Sequence, residues 1–150
     1  MITTVLIIDD DAQMQEVLAS ILSEAGYYVE TANNGKEAIK ICKESPIDVA
    51  LIDVELPDTQ GTKLLSNLKT LQPKMVKIII TGHPSIENAV TSVNEKADGY
   101  IVKPFNPPDL LEMIKKIQEE KKNEYLTVLR EVEQAKQNTP LTKYKSPEKW

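Results

Sequence analysis

Asp9, Asp10 and Asp11 follow directly on the aliphatic run VLII, and Asp53 follows directly on VALI. Carboxylates with no His or Cys beside them suit a hard cation, and an incomplete protein shell favours Mg²⁺ over Zn²⁺. A single Asp after a strand ordinarily caps the helix that follows, and Asp11 is assigned mainly to that role. A pair plus a third acid from a separate segment exceeds what capping needs. Thr81 ends the run IIIT and Lys103 ends YIVK. Alone, each is commonplace: hydroxyls after strands are frequent and most lysines are solvated. Together with a cation they supply what a transferred phosphoryl group needs, an ammonium for one oxygen and a hydroxyl for another. Gly82 leaves the approach uncrowded. Asp53, the lone acid at its strand end, is the candidate phosphoryl acceptor, since carboxylates serve in that role as aspartyl-phosphates. The protein then contributes positioning and charge neutralisation.

These residues are useful only if the elements before them bring them together. Five short aliphatic runs, 4–8, 28–31, 49–52, 77–80 and 100–102, alternate with amphipathic segments. VLII, VALI and KIII are nearly unbroken, as expected of strands covered on both faces. Met14, Val17, Leu18, Ile21 and Leu22 recur at helical spacing, with Gly26 as the stop. Further helices are expected over KEAIKICKE, GTKLLSNLKTLQP, SIENAVTSVNEKA and from near Pro108. Strictly alternating elements imply an α/β fold: a doubly wound five-stranded parallel sheet flanked by five helices. In such a sheet, chemistry gathers beyond the carboxyl ends of the strands, where the acids, Thr81 and Lys103 all fall. Residues 1–120 form the expected domain and 121–150 a helical extension with a linker or frayed tail. After the polar stretch QEEKKNE, an apolar stripe returns at Tyr125, Leu126, Val128, Leu129 and Val132. The extension is either one helix with the last of the domain or a second helix after a break.

Net charge is −5, hydrophobic content 41% and charged content 27%, with no Lys/Arg-rich stripe to support a nucleic-acid face. The lone Cys42 excludes an internal disulfide framework and reads as a small core residue on a helix. No stretch is apolar enough for a signal peptide or a bilayer span, so no membrane contact and a cytoplasmic location are expected.

The segments VLIIDDD, LIDVELPDTQG, IIITG and GYIVKPF, in this order, resemble the response-regulator receiver family of two-component signalling, the CheY-like superfamily. The resemblance covers roughly residues 2–120. It implies a flavodoxin-like sheet of strand order 2-1-3-4-5. It further implies that Asp53 is the phosphoacceptor, Asp10 a direct metal ligand, Asp9 an assisting acid and the Glu55 backbone carbonyl the remaining protein ligand. Mg²⁺ is the implied cofactor, with Mn²⁺ as substitute. Thr81 resembles the switch hydroxyl, Lys103 the phosphate-pairing lysine and Tyr100 the aromatic that moves with the switch, although an aromatic in a strand is often only packing. The Lys103–Pro104 bond is implied to be cis. Pro57 and Gly61 match the turn after the phosphoacceptor strand. Glu55 and His83 occupy positions that tune phosphate lifetime, although a sole loop histidine is more often surface decoration. The implied partners are a sensor histidine kinase or phosphotransfer protein and an unspecified downstream protein; separately, the apolar stripe of the extension suggests a homodimer that it assists. The chain is expected to be a switch, not an enzyme. The alternative is a Mg²⁺-dependent phosphatase or phosphotransferase of the haloacid dehalogenase type, whose nucleophile sits in a D-x-D arrangement after the first strand, as in Asp9-Asp10-Asp11.

Overall fold

The computed structural model describes residues 2–138; the expected linker or tail over 139–150 lies outside the described residues. The elements run β1 (Thr4–Ile8), α1 (Ala12–Glu24), β2 (Tyr28–Ala32), α2 (Gly35–Glu44), β3 (Val49–Asp53), α3 (Gly61–Leu71), β4 (Val76–Thr81), α4 (Ile86–Asn94), β5 (Gly99–Val102) and α5 (Pro107–Asn138). The five strands form one parallel sheet in the order β2-β1-β3-β4-β5. Chain order reverses at β1, so the crevice between the ends of β1 and β3 is the topological switch point.

The central strands β1, β3 and β4 are buried nearly throughout, which is why they read as unbroken aliphatic runs. Alternation within them feeds two cores. Leu6, Ile8, Ala50, Ile52 and Ile79 face Ala38 and Cys42 of α2 and Leu64, Leu65 and Leu68 of α3. Val5, Ile7, Val49, Leu51, Ile78 and Ile80 face Leu18 and Leu22 of α1 and Leu110 and Ile114 of α5. Cys42 is buried as expected, and burial, with the Glu30 charge second, pushes its thiol pKa up to about 11. That leaves it a packing residue. Val17, expected on the inward stripe of α1, is instead exposed, because the apolar arc of this helix is wider than the face the sheet covers.

Local signals set the helix ends. Asp11 caps α1, its carboxylate accepting from Gln13 N and Met14 N. Asn34 and Ser85 cap α2 and α4 the same way. Gly26, at φ +94°, takes the left-handed conformation that closes α1. The apolar run after Ile117 belongs to a single helix, α5, which continues to Asn138. The chain divides into two compact units, 1–117 and 118–150, and α5 contributes to both. Among the described residues no helix is long and apolar enough to cross a membrane.

Candidate functional site: an acidic pocket at the strand ends

The parallel sheet presents the residues after β1, β3, β4 and β5 at one edge. One carboxylate oxygen from each of Asp9, Asp10 and Asp53 lies within 4.8 Å of the others. Lys103, from the end of β5, reaches into this cluster: its Nζ donates to Asp9 Oδ2 at 3.2 Å and stands 4.0 Å from Asp53 Oδ2. Asp9 is buried and is held from its other side by Asp11 N, which donates to Oδ1 at 2.9 Å. Asp10 is exposed and Asp53 half-buried.

Three carboxylates against one ammonium leave a formal charge of −3 + 1 = −2 in the pocket. The consequence falls on Asp53. Burial first, and then the adjacent Asp9 charge, raises its pKa to about 6; Lys103 and the Glu55 N–H, which donates at 3.3 Å, pull the other way without cancelling the rise. A divalent cation would neutralise this excess. The all-oxygen donor set and its exposed Asp10 side fit Mg²⁺ better than a transition metal.

The turn after β3 is closed by backbone hydrogen bonds. Leu56 N donates to Thr59 O and Gly61 N to Val54 O, closing a bridge between Glu55 and Gln60. Neither bond uses the Glu55 carbonyl, so the turn does not consume it. A Cβ at Gly61 would overlap the carbonyl oxygen of Asp53, so only glycine lets α3 start this close to the strand end. Thr81 is buried at the end of β4, and its Oγ1 accepts from His83 N at 3.0 Å. Lys103 N donates to Thr81 O at 2.7 Å, tying the ends of β4 and β5 together, and the Lys103–Pro104 peptide is cis.

The other expected site residues are spread around this centre. Tyr100 packs against the core on the α2–α3 side of the sheet, and its hydroxyl is buried with no hydrogen-bond partner among the described residues. Glu55 and His83 are exposed at the rim.

Sequence reasoning missed Asp58. Its carboxylate accepts from Gly35 N at 2.9 Å and Lys36 N at 3.0 Å, so it caps α2 from the turn after β3. Those bonds hold its pKa below the usual carboxylate range. It also missed Gln15, whose amide donates to Asp9 O and Asn33 Oδ1 and braces the loop bearing the acids. The signal for Asp58 was present only as an acid in a turn rich in Pro and Gly, without its distant partner.

Residues 5–115 match the family model described as the response regulator receiver domain. A putative NtrX-like response regulator from Rickettsia bellii is 36% identical over 114 residues, which are 75% of this chain and 24% of that protein. The chain thus spans about a quarter of the length of such curated relatives. Among solved structures, a CheY-like response regulator receiver domain protein from Methanospirillum hungatei superposes with TM-score 0.80 at 42% identity, covering 83% of this chain and 99% of that one. A response regulator from Burkholderia pseudomallei, solved with a phosphorylated aspartic acid, a calcium ion and citrate, gives TM-score 0.72 at 32% identity, covering 83% and 74%.

Proposed function

Because the chain belongs to the response regulator receiver family of two-component signalling, we propose that Asp53 is its phosphoacceptor and that Asp9, Asp10, Asp53 and the Glu55 carbonyl hold Mg²⁺ there. The observation that carries this reading is the uncompensated charge of the pocket, gathered around a half-buried Asp53 beside Lys103. Burial alone could raise a carboxyl pKa. Three acids converging from two strand ends, with a lysine from a third, have a simpler account in cation and phosphoryl binding. When bound, Mg²⁺ supplies charge neutralisation to the phosphoryl oxygens and holds Asp53 ionised.

The remaining steps belong to the chain itself. An Asp53 oxygen attacks the phosphorus of a phosphohistidine on a partner kinase, or of a small phosphodonor; the P–O bond forms as the P–N or donor P–O bond breaks, and the leaving group keeps the electron pair. Lys103 exchanges part of its contact with Asp9 for the arriving phosphoryl oxygens, only a short movement from its 4.0 Å distance to Asp53. Thr81 donates its hydroxyl to another oxygen. Because Thr81 Oγ1 accepts from His83 N, drawing the hydroxyl toward the phosphoryl group pulls on the bond that seats the loop leading to α4. The inward Tyr100 hydroxyl, buried with no hydrogen-bond partner among the described residues, is the group on β5 that moves with this switch. Exposed Glu55 and His83 tune access of water to the aspartyl-phosphate.

The surface redirected is α4. Its apolar Ile86, Val90 and Val93 are 85%, 51% and 74% exposed, whereas its buried residue is Ser92. A helix that turns its aliphatic stripe outward is suited to a protein partner. The output is a population shift of this surface.

The haloacid dehalogenase reading is not supported. Asp11, the last acid of its D-x-D arrangement, is consumed in capping α1, and the family match is to receivers. The test is incubation with acetyl phosphate and Mg²⁺ followed by intact-mass measurement. One labile phosphoryl group per chain, absent from Asp53→Asn, is expected. Uptake that survives Asp53→Asn, or sustained turnover of a phosphomonoester, overturns the assignment.

A further inference from the structure

The groups assigned to the cation stand on two separate loops, and the first turn of α2 is bonded to both. Pro57 and Asp58 form the tip of the turn after β3, beyond the bond from Leu56 N to Thr59 O. From that tip the Asp58 carboxylate accepts from Gly35 N at 2.9 Å and Lys36 N at 3.0 Å. On the other side, the Gln15 amide donates to Asp9 O and to Asn33 Oδ1. Asn33 N donates in turn to Glu37 Oε2 of α2 at 2.6 Å.

Capping alone does not account for the Asp58 contact. The helix has its own cap, since Asn34 Oδ1 accepts from Glu37 N at 2.8 Å. Gly35 N and Lys36 N are the first-turn donors which that cap leaves over. Asp58 takes both from 22 and 23 positions further along the chain. A carboxylate on two N–H groups at the positive end of a helix is a charge-assisted contact. The seat is also shaped to receive the turn. A Cβ at Gly35 would lie 2.7 Å from Thr59 Cγ2 and 3.4 Å from Asp58 Oδ1, so the turn can approach this closely only against glycine.

The turn is therefore held at two points. Gly61 N fixes its base to Val54 O at 2.7 Å, and Asp58 fixes its tip to α2. Glu55 lies between these anchors, with a carbonyl that the turn's own bonds do not use. We propose that Asp58 is a positioning residue for the cation: it sets where the Glu55 carbonyl stands, and the first turn of α2 couples that carbonyl to the loop bearing Asp9 and Asp10. The inference rests on the assignment of Mg²⁺ to this pocket. Coupling between two sites is reciprocal, so Mg²⁺ must in turn strengthen the grip of Asp58 on α2.

Calorimetric titration of the full chain with Mg²⁺ alone tests this. Asp58→Ala is expected to weaken Mg²⁺ binding roughly tenfold, the low end for a group one step removed from a metal. The Mg²⁺ concentration that half-saturates phosphoryl uptake from acetyl phosphate should rise by the same factor, with the rate at saturating Mg²⁺ unchanged. Gln72→Ala, which loosens the far end of α2 by removing the bonds to Cys42 O, Ser45 O and Ile47 N, should lower the melting temperature and leave Mg²⁺ affinity alone. In the parent chain, which needs no substitution, amide exchange at Gly35 and Lys36 should slow when Mg²⁺ is added. Mg²⁺ binding that is absent from the parent, or that survives Asp10→Ala, overturns the pocket assignment and this inference with it. If Asp10→Ala abolishes binding, four results overturn the role of Asp58 alone. They are parent-like affinity in Asp58→Ala, an equal loss in Gln72→Ala, a rate that stays depressed at saturating Mg²⁺, and exchange at Gly35 and Lys36 indifferent to the cation.

Discussion

The two ends of the sheet use the same residue type under opposite conditions. At the amino ends, Asp48 precedes β3 and Asp98 precedes β5, and each carboxylate meets a backbone donor of the neighbouring strand. Asp48 Oδ2 accepts from Thr4 N, and Asp98 Oδ2 from Lys77 N, both at 2.8 Å. Each residue also donates its own N–H back to the same neighbour, Asp48 N to Thr4 O and Asp98 N to Lys77 O. Asp98 further faces the ammonium of Lys77, 3.8 Å away on a side chain only 2% exposed. At the carboxyl ends, Asp9, Asp10 and Asp53 crowd together with one lysine among them. The amino-end acids serve the fold, whereas at the carboxyl end the ionised Asp53 opposes it until something binds. Matched carboxylates pin strands; unmatched ones store the charge that a cation and a phosphoryl group can use.

If this contrast holds, substitutions at the two ends should have opposite signs. Asp98→Ala carries the largest expected effect, a loss of about 2–4 kcal/mol. It removes the acceptor of Lys77 N and the carboxylate facing a buried ammonium, and urea unfolding measures it. A loss within experimental error would mean that the Lys77 environment is maintained from elsewhere.

Asp53→Asn should instead stabilise the metal-free protein at neutral pH, by roughly 1–2 kcal/mol. With a folded pKa of about 6 and an unfolded value of 3.8, the folded chain holds a proton that the unfolded chain releases. That contribution is complete below the unfolded pKa and is lost as pH rises through about 6. The variant and the parent should therefore converge in stability toward pH 4, diverge as pH rises through the window between those two values, and keep the full difference above pH 6. Thermal melts in the presence of a chelator follow it. A destabilised Asp53→Asn above pH 6 would abolish the contrast between the two ends.

Asp48→Ala is the smallest, a loss of about 0.5–1 kcal/mol, since its bond to Thr4 N lies at an exposed edge. Amide exchange at Thr4 should accelerate while that at Val5 is unchanged. Equal acceleration at both would indicate loosening of β1 as a whole.

Much of this site was legible residue by residue. Asp9, Asp53, Thr81 and Lys103 each end an aliphatic run, and a parallel sheet carries such ends to one edge whatever its detailed packing. The helix caps were equally local, because Asp11 bonds to residues two and three positions on. Partners far along the chain were not legible. Asp58 caps α2 across more than twenty positions, and Gln72 braces the chain after α2 through Cys42 O, Ser45 O and Ile47 N. Nor did Lys77 stand out: KIII reads as a strand covered on both faces, but the run does not show what compensates a lysine buried in it. A charged side chain is tolerated there because Asp98, from the turn before another strand, lies against it and Met75 O accepts from its ammonium.

The sequence by itself determined the strand order of operations: which runs are strands, that they lie parallel, and that the acids, Thr81 and Lys103 share one edge. Period and position carry that information, and both are local. The tertiary structure alone decided how charge is balanced there, raising Asp53 while satisfying Asp58. It decided that α4 turns its aliphatic stripe outward and that α5 runs unbroken to Asn138. Burial and charge compensation depend on what the rest of the chain brings within a few ångströms, and no window of sequence contains that.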